Sequence, residues 1–225
     1  MHTLPAEKVL KLLLARYRVQ LDSRPSTGRG SPFEILILTI LSAQTTDQAV
    51  DRIRDTLFAR FPDIVALARA RGDEVETIIH SLGFYHVKAL YIIATARLLL
   101  EEFNSKVPET MDMLLTLPGV GRKTANIVLY HAFGKNEGVA IDTHVKRIVK
   151  RIGLTDSSNP VTIERDLMEV LPRKWWGLLT DLLIAHGRAC CTARKPRCEL
   201  CPISAHCRYY RERGSGHSTA TSPSR

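Results

Sequence analysis

Residues 117–144 read LPGVGRKTANIVLYHAFGKNEGVAIDTH, and this stretch decides the predicted fold and chemistry. Gly119 and Gly121 follow a proline and predict a tight hairpin, because glycine adopts positive φ at little cost. The first N–H groups of the helix that follows have no intrahelical acceptors and can bind a phosphate. Lys123 lies at the start of that helix, and Asp142 comes nineteen residues later. An amine with a nearby carboxylate is a candidate nucleophile with its helper.

Each of these two residues also has a simpler explanation. A lysine near a helix N-terminus can extend its ammonium group into solvent, and an aspartate before Thr-His-Val-Lys is a good N-cap. The pair carries more weight, because a partly desolvated lysine can attack as a free amine and a carboxylate can assist it. We therefore predict that Lys123, partly desolvated, and Asp142 form a catalytic pair.

The composition indicates a soluble globular chain with a basic surface. Its 225 residues include 32 Lys and Arg against 23 Asp and Glu, which gives a net charge of +9. Such a balance favours nucleic acid or an anionic membrane surface as partner, and a generally basic surface is the alternative. No apolar run reaches the roughly 18 residues of a membrane span, and the N-terminus lacks a signal-peptide pattern. We expect an intracellular protein.

The hydrophobic pattern predicts an all-α fold, because apolar residues recur at helical spacing and no alternating strand pattern or fixed-period repeat is found. The segment SPFE at residues 31–34 has the residue types of a capping box, which favours a buried helix for the apolar segment that follows. The predicted helices cover residues 6–17, 35–43, 48–60, 64–71, 74–82, 87–103, 113–117, 123–133, 144–152, 161–170 and 175–188.

Four of the five cysteines have the spacing Cys191-x6-Cys198-x2-Cys201-x5-Cys207. In a protein that is expected to be intracellular, such thiols are better candidates for metal ligands than for disulfides. Four thiolates fit either a [4Fe–4S] cluster or a zinc ion on chemistry alone. Cys190 lies outside this spacing and is predicted to be a buried thiol.

Positive charge is concentrated around the cysteines. Residues 186–213 contain seven Lys and Arg against two Glu, which accounts for +5 of the net +9. Three of these cations, Arg194, Lys195 and Arg197, lie between the first two cysteines of the spaced set. Cations of this kind neutralise the phosphates of DNA, so the loop is a candidate DNA contact, and a solvated basic face is the alternative.

A second group of cations follows Asp142. Lys146, Arg147, Lys150 and Arg151 occupy positions i, i+1, i+4 and i+5, which share one side of a helix. Together with the hairpin amides and the cysteine loop, this helix predicts phosphate contacts around the catalytic pair.

Several motifs together identify a family. The hairpin segment 117–123, the segment IDTH at 141–144 and the cysteine spacing closely resemble the endonuclease III family of helix-hairpin-helix DNA glycosylases. The segments LSAQ at 41–44 and GFY at 83–85 also resemble family segments, in the expected order. The resemblance covers the chain except for the tail after Arg213.

The resemblance implies a two-domain all-α fold with DNA in the groove between the domains. Residues 25–136 are expected to form a six-helix barrel domain that contains the helix-hairpin-helix, and residues 1–24 with 137–213 an iron–sulfur cluster domain. Residues 214–225 are expected to be a disordered tail. The resemblance also favours one [4Fe–4S] cluster over zinc, held by the four spaced cysteines, with a role in structure and DNA positioning rather than in catalysis.

The family chemistry implies roles for single residues. Lys123 is expected to attack C1′ of a flipped nucleotide, and Asp142 to stabilise positive charge on the sugar before β-elimination on the 3′ side. Gln44 is expected to fill the vacated stack and Phe84 to wedge the opposite strand. Many relatives carry an aliphatic residue at the position of Phe84, and a core residue is the alternative there. His144 is expected to be structural or a phosphate contact.

The expected activity is that of a bifunctional DNA glycosylase and AP lyase of base excision repair, acting on oxidised pyrimidines. Sister enzymes that remove adenine or thymine from mismatches generally lack a lysine at the position of Lys123, although a mismatch-directed T:G or U:G glycosylase is one alternative. The other alternative is a non-catalytic iron–sulfur protein that binds DNA or senses redox state, which would not need Lys123 paired with Asp142.

The expected partner is damaged double-stranded DNA. We expect a monomer in the cytoplasm, associated with the nucleoid, that uses no small-molecule cosubstrate and no membrane. The predicted DNA contacts are Gln44, Phe84, Gly119, Gly121, Arg122, Lys146, Arg147, Lys150, Arg194, Lys195 and Arg197.

Overall fold

The structure, a computed structural model, describes residues 6–22 and 29–215. The chain divides into two compact units, one of residues 1–22 with 138–225 and the other of residues 23–137. No strand occurs in the described ranges, which confirms the all-α fold class. The predicted domain boundary at residue 25 and the predicted tail from residue 216 onward lie outside the described residues.

The predicted helices are confirmed, with ends that differ by a few residues. The α-helices are α1 (Ala6–Asp22), α2 (Pro32–Leu41), α3 (Asp47–Arg60), α4 (Ile64–Ala68), α5 (Gly72–Ile79), α6 (Tyr85–Glu102), α7 (Met111–Leu115), α8 (Arg122–Phe133), α9 (Thr143–Ile152), α10 (Pro160–Val170), α11 (Trp176–Ala189) and α12 (Arg208–Ser215). Among the helices described, none is both long enough and apolar enough to cross a membrane.

Helix α12 is not predicted from the sequence. Its residues RYYRERGS are mostly charged or polar and carry no apolar stripe, so hydrophobic periodicity gives no signal for it. Because α12 extends through Ser215, the assignment of residues 214 and 215 to a tail is wrong.

In the unit of residues 23–137, α2 is the central helix, and eight of its ten residues are buried. The predicted capping box starts it: the N–H of Ser31 donates to Glu34 Oε2 at 2.7 Å, and the N–H of Glu34 donates to Ser31 Oγ at 3.2 Å. Helices α3, α6 and α8 pack on α2. Helix α8, which follows the predicted hairpin, therefore packs on the most buried helix of its unit.

In the other unit, α11 is the packing centre. Helix α1 packs on α11 although the two are far apart in sequence, and α9 packs on α11 as well. Helix α12 in turn packs on α9. The start of α9, with Asp142, and the cysteine segment after α11 are therefore held by one shared core.

Candidate nucleic-acid interface and metal centre

The hairpin between α7 and α8 depends on glycine geometry. Gly119 has a φ of +76, and a Cβ there would lie 2.9 Å from the ring of Tyr91, so both the backbone and the surroundings require glycine. Thr95 on α6 donates a hydrogen bond of 2.8 Å from Oγ1 to the carbonyl of Pro118. These contacts hold the turn against α6 and confirm the predicted hairpin.

Helix α8 begins immediately after the hairpin. Its N-cap, Gly121, forms no side-chain capping hydrogen bond, so the first N–H groups of α8 suit a phosphate ligand. Arg122 and Lys123 lie in the first turn, and both are exposed. The expected partial desolvation of Lys123 is therefore wrong for the protein without DNA, because Gly121 and Arg122, which precede it at this helix end, are exposed as well.

Asp142 is the N-cap of α9. Its Oδ1 accepts a hydrogen bond of 2.7 Å from the N–H of Val145, which confirms the capping explanation. This bond uses only one of the two carboxylate oxygens, so the cap is compatible with a catalytic role, which stays a prediction. The predicted catalytic pair takes Lys123 from the unit of residues 23–137 and Asp142 from the other unit.

Gln44 and Phe84 share an uncommon backbone conformation. The φ angle is +53 for Gln44 and +59 for Phe84, a left-handed region that costs free energy in residues other than glycine. Phe84 exposes 67% of its surface, so the explanation of Phe84 as a core residue is wrong. Gln44 is exposed as well. Strain of this kind is concentrated at functional sites, and insertion of both side chains into DNA stays a prediction.

The cysteines lie together around one cavity, and none of the five forms a disulfide. Cys198 and Cys207 are buried, whereas Cys191 and Cys201 are half-buried. Burial raises the pKa of the Cys201 thiol to about 12, and it also raises the pKa of Cys207 above its usual value. These thiols need a cationic centre to become thiolate ligands.

Cys190, outside the spaced set, is buried as predicted. Its thiol donates a hydrogen bond of 3.2 Å to the carbonyl of Arg197. Its sulfur nevertheless belongs to a compact group, because the ligand atoms of His186, Cys190 and Cys201 all lie within 4.8 Å of one another. The spacing of the cysteines in the sequence does not reveal this proximity.

Arginine side chains hold the segment that contains the cysteines (residues 190–207, the cysteine segment) through hydrogen bonds to backbone carbonyls. The Nη1 of Arg151 donates to the carbonyl of Thr192 at 2.7 Å and lies 3.3 Å from the Sγ of Cys191. Arg147 donates from Nε and Nη2 to the carbonyl of Cys191 at 3.3 and 3.0 Å. Arg197, which is exposed, donates to the last carbonyl of α11 at 2.7 Å. Arg147 and Arg197 therefore have structural bonds beside their predicted contacts with DNA.

The remaining predicted phosphate contacts are at the surface. Arg194 and Lys195 are exposed and lie in the cysteine loop. Lys146 and Lys150 are half-exposed on α9, and the Nζ of Lys150 donates to Ser158 Oγ at 2.8 Å. Their contacts with DNA stay predictions.

His144 has a structural role, one of the two that the sequence suggests. Its Nδ1 lies 3.2 Å from the Nη2 of Arg147. The ring also packs against Gly187 on α11, where a Cβ would come within 2.4 Å of the same nitrogen. His144 thus fixes the contact between α9 and α11.

His186 is the main residue of the metal centre that the sequence pattern does not predict. Its side chain on α11 is buried, with Nε2 3.7 Å from Cys201 Sγ and Nδ1 3.0 Å from the hydroxyl of Tyr17. Burial, with a smaller effect of Arg147, lowers the pKa of His186 to about 4, so the ring is neutral. We assign the Tyr17 hydroxyl as donor to Nδ1, which leaves the Nε2 proton directed at the sulfur.

Comparison with known proteins identifies the family. The model of the HhH-GPD superfamily base excision DNA repair proteins matches residues 37–173. Endonuclease III of Synechocystis sp. is 45% identical over 201 residues, which are 89% of this chain and 92% of that protein. The chain belongs to the endonuclease III family. The resemblance seen in the hairpin, cysteine and turn motifs is therefore confirmed.

Two solved endonuclease III structures resemble this family member along nearly its whole length. A non-covalent endonuclease III–DNA complex has a TM-score of 0.83 at 34% identity and covers 96% of this chain and 100% of that chain. A trapped endonuclease III–DNA covalent intermediate, in an estranged-adenine complex, has a TM-score of 0.83 at 34% identity and covers 95% and 100%. The helix-hairpin-helix glycosylase fold is thereby confirmed.

The iron-sulfur binding domain of endonuclease III matches residues 191–207, which begin and end at the first and fourth spaced cysteines. This endonuclease III family member therefore carries the expected [4Fe–4S] cluster. The residues present fit that group, because the four thiols line one cavity and Arg151 directs an N–H at the Sγ of Cys191. Hydrogen bonds to cluster sulfurs of this kind stabilise the negative charge of a four-thiolate cluster.

Proposed function

We propose that this protein is a bifunctional DNA glycosylase and AP lyase of base excision repair. It removes oxidised pyrimidines from duplex DNA and cleaves the strand 3′ to the abasic site by β-elimination. The observation that carries this function is Lys123, an exposed amine in the first turn of the helix that follows the hairpin. A covalent intermediate with DNA has been trapped for a related endonuclease III, and an amine in this position can form such an intermediate.

In the first chemical step, a bond between C1′ and the Nζ of Lys123 replaces the bond between C1′ and the base. A stacked base cannot be reached, so the nucleotide is flipped out at a cost of about a few kcal/mol, while Gln44 and Phe84 enter the space in the duplex. The Nζ of Lys123, as a free amine, bonds to C1′ as the bond from C1′ to the base breaks, and the base leaves with the bonding electrons and takes up a proton. Asp142 accepts the proton that Nζ loses and stabilises the positive charge on the sugar.

The second step breaks the strand. Opening of the sugar ring converts the adduct into a Schiff base between Nζ and C1′, which acidifies the hydrogen on C2′. Loss of this proton expels the 3′ phosphate oxygen, so the C3′–O bond breaks and leaves an unsaturated Schiff base, still joined to Nζ, on one fragment and a 5′ phosphate on the other. Water then hydrolyses the Schiff base and frees Lys123.

The cations and hairpin amides hold the DNA backbone. A hairpin and helix N-terminus supply N–H groups to one phosphate, and the surface cations neutralise others. We assign these contacts to Gly119, Gly121, Arg122, Lys146, Arg147, Lys150, Arg194, Lys195 and Arg197. Because one chain supplies both the amine and the carboxylate, we propose that a monomer suffices without a small-molecule cosubstrate, and that it acts at the nucleoid.

The proposed ligands of the cluster are Cys191, Cys198, Cys201 and Cys207. The bound cluster supplies a rigid cross-link, which fixes the basic loop that lies between its first two ligands. Arg147 and Arg151 hold the carbonyls of the same loop, so the protein positions Arg194 and Lys195 from two sides.

Replacing a proposed ligand should remove the cluster. The wild-type protein, purified without air, is expected to be brown and to contain equal amounts of iron and sulfide. The variant Cys201→Ala is expected to lose both, because three thiolates do not complete the ligand set. The matched control is Cys190→Ala, which removes a buried thiol of the same group and should keep the iron. Zinc in colourless wild-type protein, or iron loss in Cys190→Ala only, would contradict the assignment.

Removing the charges of the cysteine loop should weaken DNA binding. In the variant Arg194→Ala/Lys195→Ala, the slope of log K against log salt is expected to fall by about 1.8, because each phosphate contact contributes roughly 0.9. The double variant Lys8→Ala/Arg18→Ala removes two exposed charges from α1 and controls for net charge. The chemical step at saturating enzyme should keep its rate, and a slower single-turnover cleavage would argue against a role limited to phosphate contacts.

The decisive test of the proposed activity is borohydride trapping. Wild-type protein mixed with duplex DNA that carries an abasic site or thymine glycol, in the presence of borohydride, is expected to form a covalent adduct. A protein that binds the duplex, forms no adduct and releases no base would instead be a non-catalytic DNA-binding protein. A panel of lesion duplexes under single-turnover conditions then separates oxidised pyrimidines from T:G and U:G mismatches as substrates.

A further inference from the structure

Lys88 on α6 is buried although its side chain ends in an ammonium group. Only 4% of its surface is exposed, and among the described residues it is the one lysine or arginine that is buried. Burial lowers the pKa of Lys88 below its usual value. An apolar side chain would avoid the free energy that burial of an ammonium group costs. The hydrogen bonds of Lys88 show which parts of the structure this buried residue holds in place.

The ammonium group of Lys88 reaches the turn that carries Gln44 (residues 42–45, the Gln44 turn). Its Nζ donates a hydrogen bond to Oγ1 of Thr45, 43 positions away in the chain. The same hydroxyl donates to the carbonyl of Ala43 at 3.3 Å. Because Ala43 and Thr45 flank Gln44, this chain of hydrogen bonds restrains the backbone on both sides of it.

The backbone of Lys88 is tied to the turn that carries Phe84 (residues 80–84, the Phe84 turn). Its N–H donates to the carbonyl of Phe84 at 3.0 Å. Phe84 is the N-cap residue of α6, has a φ of +59 and forms no side-chain capping hydrogen bond. Lys88 is therefore bonded to the Gln44 turn through its side chain and to Phe84 through a backbone hydrogen bond at the start of α6.

We propose that Lys88 is a positioning residue for base extrusion, which holds the Gln44 turn and the Phe84 turn in one fixed arrangement before DNA binds. This proposal rests on the proposed function, in which the side chains of Gln44 and Phe84 enter the duplex. Left-handed φ angles at both positions cost free energy, and the link through Lys88 keeps these conformations populated. Turns that are already ordered lose less conformational freedom on binding, so the link favours the flipped complex.

Two variants break the link from opposite ends. Lys88→Met keeps a long unbranched side chain without the ammonium group, and Thr45→Val keeps the shape of threonine without the hydroxyl. Each is expected to slow single-turnover release of a paired lesion base at saturating enzyme by about tenfold, the effect of one lost hydrogen bond to a charged group. Borohydride trapping on a duplex with an abasic site should slow much less, because no base has to leave the stack there.

The controls separate positioning from general damage. The double variant Lys88→Met/Thr45→Val should be no slower than the slower single variant, because both changes break the same bond. Thr45→Ser, which keeps the hydroxyl, should recover most of the rate lost in Thr45→Val. Lys106→Met removes an exposed lysine of the same unit and controls for charge. Additive effects, equal slowing on both DNA substrates, or wild-type rates in both single variants would overturn the proposal.

Failure of this proposal differs from failure of the proposed function. If the proposed function is wrong, the wild-type protein itself forms no adduct and releases no base from any duplex. If only the role of Lys88 is wrong, the wild type is active and the variants match it. Should Lys88→Met fail to fold, Thr45→Val alone decides, because Thr45 is half-buried in a surface turn and valine replaces its hydroxyl with a methyl group of similar size.

Discussion

Lys123→Ala is expected to abolish the borohydride-trapped adduct and to slow single-turnover base release by at least about a thousandfold, the scale of losing a covalent nucleophile. The reason is that the alanine variant has no amine to bond to C1′, so neither the adduct nor the Schiff base can form. DNA affinity should change much less, because the hairpin amides and the other cations remain. Trapping gels and a binding titration on the same abasic duplex measure the two effects separately.

Lys123→Arg is the sharper variant, because it keeps the positive charge at the start of α8. A guanidinium group stays protonated and does not form a Schiff base, so this variant should bind the duplex and still give no adduct. Lys106→Ala removes an exposed lysine from the same unit and should trap like the wild type. An adduct with Lys123→Ala or Lys123→Arg would show that another amine is the nucleophile.

Because Lys123 is exposed in the protein without DNA, we expect its activation as a nucleophile to occur only in the complex with DNA. Attack on C1′ requires a free amine. We therefore expect desolvation by the bound sugar and proton transfer to a carboxylate to follow binding. The proposed reaction therefore depends on the carboxylate of Asp142 as much as on the amine of Lys123.

Elements with local signals could be predicted from the sequence. The capping box at Ser31 and Glu34, the hairpin glycine at position 119 and the N-cap at Asp142 each involve groups within a few residues of one another. Their geometry follows from short-range sterics and hydrogen bonding. The cysteine spacing is similarly local, so the position of the metal centre could be predicted as well.

Contacts between distant segments could not be predicted in the same way. The bond between Tyr17 and His186 spans 169 positions, and the bond between Lys88 and Thr45 spans 43. Both depend on which faces of packed helices meet, which periodicity does not specify. The charge pattern of α9 predicts phosphate contacts, but it does not predict that the guanidinium groups of Arg147 and Arg151 bind the carbonyls of Cys191 and Thr192.

Asp142→Asn should separate the structural role of this residue from its catalytic role. Asparagine caps a helix about as well as aspartate, so the hydrogen bond to the N–H of Val145 and the midpoint of thermal unfolding should be retained. The carboxylate charge and the proton acceptor are lost, so single-turnover base release is expected to fall by roughly 10²- to 10⁴-fold, the range of general acid–base catalysis. Asp142→Ala should show the same loss and an additional destabilisation of about 1 kcal/mol.

Asp63 provides the matched control, because it is also an N-cap aspartate. Its Oδ1 accepts from the N–H of Ala66 at 2.7 Å, the same distance as in the cap at Asp142. Asp63→Asn therefore makes the same chemical change at an equivalent cap and should leave base release at the wild-type rate. If Asp142→Asn also releases bases at the wild-type rate, Asp142 is a helix cap only. Another group must then accept the proton of Lys123 and stabilise the charged sugar.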